Sequence, residues 1–249
     1  IGNVHWGWGV LLLILGSGSA LFGVLYALMQ TDLKRLLAYS SVENMGIVFI
    51  GLGLSMIFYS TGHATLGTLG LLAALLHSFN HALFKSLLFL GAGAILQHSH
   101  ERDLEQMGGL LQRMPWTGLF FLIGCLSISA LPPFNGFVSE WLTFQAALQA
   151  TQLNSGVLRA IIPLAAISLA LTSALTAACF VKVYGIAFLG LPRSKQARHA
   201  HEASFGMLAG QAILATGCVL GGIFPSATLA LMAPLTQQLT GYSLPPATT

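Results

Sequence analysis

The chain has 249 residues, 55% of them hydrophobic and 7% charged, with a net charge of +3 and a mean hydropathy of +0.79. Soluble domains carry roughly 25% charged residues, so a surface that faces water throughout is excluded. The basic residues fall in short clusters between apolar runs, a pattern of membrane orientation and not of nucleic-acid binding.

A helix needs about 20 mostly apolar residues to cross the roughly 30 Å hydrocarbon layer. Six stretches meet that length, which predicts an all-α membrane protein with six transmembrane helices. The first runs from about Trp8 to Met29, the second from about Leu36 to Tyr59, and the third from about Leu66 to Leu96. The fourth starts near Trp116, is broken at Pro132-Pro133, and resumes through Phe134 to about Leu148. The fifth covers about Ile161 to Leu191 and the sixth about Phe205 to Met232. Residues 1–249 thus read as one transmembrane domain. The chain begins at Ile1 with no basic n-region, so it reads as a fragment or a processed piece.

Charge in the loops gives an independent check. The loops after the first, third and fifth spans hold seven of the ten basic residues, including Lys34, Arg35, Arg102, Arg113 and Arg193. The remaining loops and both ends hold only Arg159. The positive-inside rule then places the odd loops in the cytoplasm and both termini outside the cytoplasmic membrane.

The residues that stand out are charges inside the spans, because each costs about 2.5–3.5 kcal/mol on insertion scales. His77, His81 and Lys85 occupy the third span at i, i+4 and i+8. That spacing lays them along one stripe over about 12 Å. His changes charge near neutral pH, and Lys does so when desolvated, so a series of this kind suits a proton relay. The plainer alternative is that each group hydrogen-bonds neighbouring helices. Haem ligation by His77 or His81 is a third reading, but no partner ligand is singled out.

Glu140 follows the Pro132-Pro133 break, where freed backbone is tolerated only beside protein or a wet cavity. It reads as an ion-handling group or as a solvated helix end. Glu43, beside Ser40, Ser41 and Asn44, is either interfacial or an entry point for protons. Lys182, late in the fifth span, reads as a side chain snorkelling toward the loop of Arg193. The run His98 to Glu105 has mixed charge and reads as a solvated loop. Cys125, Cys179 and Cys218 are widely spaced in apolar stretches and read as core residues. Gly16-x-Gly18 and Gly91-x-Gly93 suggest close helix packing.

Several segments carry a family resemblance. Asp32-Leu-Lys-Arg-Leu-Leu-Ala-Tyr-Ser-Ser41 with Glu43-Asn-Met-Gly46, and His77-Ser-Phe-Asn-His-Ala-Leu-Phe-Lys-Ser86, resemble the antiporter-like membrane subunits. These are the proton-pumping subunits of respiratory complex I, Mrp antiporters and membrane-bound hydrogenases. Gly108-Gly-Leu-Leu-Gln-Arg-Met-Pro115 and Leu131-Pro-Pro-Phe-Asn-Gly-Phe-Val-Ser-Glu-Trp141 resemble the family's next, broken helix. Glu140 and the Ser-Val-Glu-Asn run at 41–44 are most similar to the hydrogenase-4 and formate hydrogenlyase branch.

The resemblance implies a proton-translocating subunit, with a sodium/proton antiporter subunit or a non-conducting scaffold as alternatives. It makes Lys85 the central-axis lysine, His77 and His81 its relay, Glu140 the terminal group of the outer half-channel, and Glu43 at most a contributor. Redox groups would lie in the other membrane and peripheral subunits of a hydrogenase or dehydrogenase complex; no cofactor or metal is expected on this chain. The family has about fourteen helices in two inverted halves. This chain resembles the second half onward, so it is not expected to pump unaided.

Overall fold

The computed structural model describes residues 5–242. Nine α-helices run along the described chain: α1 (Trp6–Met29), α2 (Leu33–Ser60), α3 (Ala64–Ser99), α4 (Pro115–Ile128), α5 (Asn135–Leu148), α6 (Gly156–Phe188), α7 (Lys195–His199), α8 (Phe205–Ile223) and α9 (Pro225–Thr240). The described residues hold no β-strand, only an isolated antiparallel bridge between Asp32 and Asp103. Helix is the expected outcome in lipid, where every backbone N–H and C=O must find its partner within the segment. Helices α1, α2, α3, α6 and α8 are each long and apolar enough to cross a membrane. The pair α4–α5 supplies a sixth, interrupted crossing.

Two predicted spans differ in detail. The fourth breaks over a longer stretch than its two prolines: α4 stops at Ile128, and α5 starts at Asn135. The residue before a proline is driven out of the helical region, so Leu131 cannot continue α4, and the turn begins at Ser129. The sixth span ends at Ile223, because Phe224 precedes Pro225 and takes a non-helical conformation. Pro225 then opens α9, where its missing N–H removes no helical bond.

α3 lies at the centre, packed against α2, α4, α5, α8 and α9. Its 36 residues amount to about 54 Å at 1.5 Å per residue, well over the roughly 30 Å thickness of a hydrocarbon layer. The three basic loops gather at one end of the bundle. Arg102 pairs with Asp32 at 3.0 Å, and Asp32 also caps α2 by accepting from the Arg35 N–H. Arg193 donates to the carbonyls of Leu104, Met107 and Ile186. At the opposite end, Trp6, Thr61, His63 and Ser155 surround one cavity, and Tyr242 packs beside Tyr59. The alternation of basic and neutral loops is therefore also a division between two ends.

α1 and α2 form a close seam, crossed by a hydrogen bond from the Ser19 hydroxyl to the Val42 carbonyl at 2.9 Å. A Cβ added at Gly16 would sit 2.7 Å from the Gly46 carbonyl, and one at Gly9 would sit 2.7 Å from the Gly53 carbonyl. Gly23 is pressed against the backbone of Glu43. Of the glycines singled out in the sequence, Gly16 and Gly91 make such contacts, Gly91 against Phe121; Gly18 and Gly93 face open space.

Candidate functional site

The buried polar groups converge where α2, α3, α5 and α6 meet. Glu43 and His77 are each 1% exposed, and Lys85 and Glu140 are 5% exposed. Interior charges in lipid are tolerated when they face the bundle and find partners. Each of these faces the bundle.

One turn of α2 serves as the hub. Ser40, Glu43 and Asn44 stand three and four residues apart and so share a helix face. The Lys85 ammonium donates to the Leu37 carbonyl at 2.6 Å and to the Ser40 hydroxyl. Asn44 uses its side-chain amide N–H to bond the Ser40 carbonyl at 2.7 Å, which turns its Oδ1 toward His77 Nε2 at 3.2 Å. Glu43 leans the other way, toward α6, where the Thr176 hydroxyl donates to its carboxylate at 2.6 Å. Its second carboxylate oxygen is buried without a hydrogen-bond partner.

On the α5 side, His77 Nδ1 lies 3.0 Å from the Ser139 hydroxyl. Asn80 donates to Ser139 Oγ at 3.1 Å and to the Asn135 carbonyl at 2.8 Å, and Asn135 donates back to Asn80 Oδ1 at 3.2 Å. Because Asn44 offers an oxygen, His77 carries its proton on Nε2, and a neutral ring accepts from Ser139 at Nδ1. A protonated ring would donate to Ser139 instead, and the hydroxyl would turn to the Gly136 carbonyl, 3.1 Å away. Both charge states of His77 therefore find a full set of partners. A permanently neutral structural histidine has no need of that.

His81 is partly buried, packs edge-on against Phe84 at 5.6 Å, and has an Nε2 with no partner. No hydrogen bond joins His81 to His77 or to Lys85, so the stripe is continued by α2 and not by direct contact along α3. Glu140 accepts from the Ser173 hydroxyl of α6 at 2.5 Å. It lines a cavity of about 470 Å³ with Ser129, Leu131, Phe137, Trp141 and Ser173. The other side of the break is closed by α8, where Gly222 presses on Pro133 and Phe134. The freed backbone is thus covered by protein on one side and borders a cavity on the other, as the physics of a broken membrane helix demands.

Lys182 does not reach the Arg193 loop itself; it donates to the carbonyls of Leu28 and Gln30, the open C-terminal end of α1. A cation there also favours the negative pole of that helix. Sequence reading passed over Ser139, Ser173 and Thr176. Small hydroxyls in apolar helices usually bond their own backbone, and a backbone carbonyl lies within reach of each of the three here as an alternative acceptor. Glu202 was passed over too; it caps α4 from 86 residues away, accepting from Trp116 N–H at 2.7 Å and Thr117 Oγ1 at 2.7 Å.

This geometry defines a class: a multi-pass helical membrane protein with a buried, titratable seam beside a broken helix. The chain belongs to the family described as NADH:quinone oxidoreductase/Mrp antiporter, transmembrane, which matches residues 2–168. The resemblance read from the sequence holds. The chain is 50% identical over 213 residues to "Hydrogenase-4 component B" of Escherichia coli (strain K12), covering 86% of this chain and 32% of that protein. It is 41% identical over 249 residues to "Formate hydrogenlyase subunit 3" of the same organism, covering 98% and 41%. In three dimensions it matches a chain of "the membrane-bound sulfane sulfur reductase (MBS), an archaeal respiratory membrane complex", with a TM-score of 0.77 and 29% identity, covering 99% and 36%. The chain thus spans about a third to two fifths of the length of the curated relatives named here.

Proposed function

We propose that the chain moves protons across the cytoplasmic membrane as a subunit of a membrane-bound hydrogenase or an NADH/quinone dehydrogenase-like complex. Lys85 is the central charge and alternately takes up and releases a proton. His77 and His81 deliver protons to it, Glu43 modulates its charge from α2, and Glu140 passes protons toward the outside through the half-channel beside the break. The basic loops face the cytoplasm and both termini face outward. The chain contributes the second inverted half of the transporting fold plus one further helix. Electron transfer takes place on partner subunits, whose charge changes drive the lysine.

The observation that carries this reading is the α2 turn from Ser40 to Asn44. It touches both Lys85 and His77 and carries a buried carboxylate. The test is electron-driven acidification of vesicles that contain the assembled complex. Lys85→Ala and Glu140→Gln should each lower proton translocation at least about tenfold, a barrier change of about 1.4 kcal/mol, without loss of assembly. Unchanged pumping by both variants would falsify the assignment. Proton movement that needs sodium and no electron donor would identify a sodium/proton exchanger instead.

A further inference from the structure

A second cluster of titratable side chains lies apart from the seam, at the end of the bundle that carries the basic loops. Two His-x-His pairs meet there: His98 and His100 at the end of α3, and His199 and His201 at the end of α7. Together with Lys195 and Gln196 they line a cavity of about 380 Å³. His98 stands about 25 Å along the axis from the middle of α3, well past the half-thickness of a hydrocarbon layer. The membrane does not explain these histidines, and neither does the proton path.

We infer that this cluster is a binding site for a divalent late first-row cation such as Zn²⁺ or Ni²⁺, held by His98 and His201 with His199 or His100 completing the set. The ring centres of His98 and His201 are 4.4 Å apart and inclined at 64°. Two imidazoles on one tetrahedral zinc stand with their ring centres about 5 Å apart, so this pair need open by less than about 1 Å to share an ion. His98 Nε2 is buried and has no hydrogen-bond partner, a state that a metal ligand resolves. The other rings are set in the matching tautomer. His199 Nδ1 lies 2.8 Å from the Lys195 carbonyl, and His201 Nδ1 lies 3.2 Å from the Glu202 carbonyl. Each Nδ1–H is thereby committed to backbone, and the Nε2 lone pair is left free to act as a ligand. This is how ligating histidines are usually oriented. Imidazole donors suit zinc, copper and nickel over magnesium and calcium.

Among the described residues no three donors already converge on one point. The third ligand therefore comes from a rotamer change of the exposed His100, or of the exposed His199 with release of its Nδ1–H from the Lys195 carbonyl. Lys195 places a positive charge on the same cavity and opposes binding. The bound ion fastens the end of α3, the helix of Lys85, to the linker whose Glu202 caps α4.

The test is calorimetric titration of the full, untagged, chelator-stripped chain in detergent with Zn²⁺ alone, then Ni²⁺ alone. One ion per chain is expected. The paired change His98→Ala and His201→Ala should weaken binding at least about tenfold, since even outer-shell changes cost that much. His63→Ala, at the opposite end, should leave it unchanged. Lys195→Met should tighten it by up to about fivefold, the scale of an exposed charge pair. The thermal unfolding of each variant reports whether the fold is intact. Two outcomes overturn the proposal: no stoichiometric binding by the parent chain, or equal affinity in a folded chain lacking His98 and His201.

Discussion

Two interhelical seams that meet at Glu43 are filled in opposite ways. Between α1 and α2, glycines let the backbones touch, with Gly16 against Gly46 and Gly9 against Gly53. Between α3 and its neighbours α2 and α5, the contact is made by His77, Asn80, Asn135, Ser139 and Lys85. Lipid tails are as apolar as leucine, so helices associate through close packing or through polar bonds. In the glycine seam close backbone packing carries nearly all of the contact, with one hydrogen bond from the Ser19 hydroxyl to the Val42 carbonyl added to it. Putting Lys85 and two carboxylates in the bundle costs about 2.5–3.5 kcal/mol each on insertion scales, a cost that the glycine seam does not carry. The contrast marks where the molecule holds charge at a cost: at the seam to which the proposed proton path is assigned.

The glycine seam is where a single substitution does most damage. Gly46→Leu must force α1 and α2 apart, since even a Cβ there meets the Ala20 N and the Gly16 carbonyl at 2.5 Å. Overpacking of this kind costs about 3 kcal/mol or more, and little folded chain should survive a thermal ramp in detergent. At the polar seam, His77→Leu strips a partner from both Asn44 and Ser139 and should destabilise by about 2 kcal/mol. His77→Gln can still bond to both neighbours but cannot carry a proton. It should melt within about 1 kcal/mol of the parent and still impair vesicle acidification. If His77→Gln pumps normally, the histidine is only a bonding group.

Smaller effects sharpen the contrast. Thr176→Val removes the hydroxyl that donates to Glu43 and should cost about 1 kcal/mol, read as a lowered midpoint in the same ramp. Gly18→Ala should be neutral or stabilising by up to about 1 kcal/mol, because its Cβ meets nothing within 4 Å and alanine is the better helix former. A loss of stability at Gly18 as large as at Gly46 would remove the distinction between the two positions.

Much of the fold was legible because lipid narrows the choices. Composition gave the helices, and the Lys and Arg distribution gave the division into two ends. The bounds of the break were not legible, since Ser129 and Ala130 are ordinary helix residues whose departure is imposed by Leu131 and the prolines after it. The end of α8 was more readable than the predicted span allowed, because Phe224 precedes Pro225. Within the site, Lys85, His77, His81, Glu43 and Glu140 stand out as charges in an apolar text. Their partners do not: Ser139, Ser173 and Thr176 are identified only by what lies across from them. Burial places Glu43 inside the bundle, where the sequence left it as an interfacial residue or an entry point for protons.

The Ser139 hydroxyl links two events that share no contact. If His77 gains a proton, as the proposed path requires, the Ser139 hydroxyl, one residue before Glu140 along α5, must let go of the ring and swing to the Gly136 carbonyl. Arrival of charge on α3 would thereby be registered in the first turn of the helix that carries Glu140. A single rotating O–H group, with two resting positions, is enough to make the state of one readable at the other.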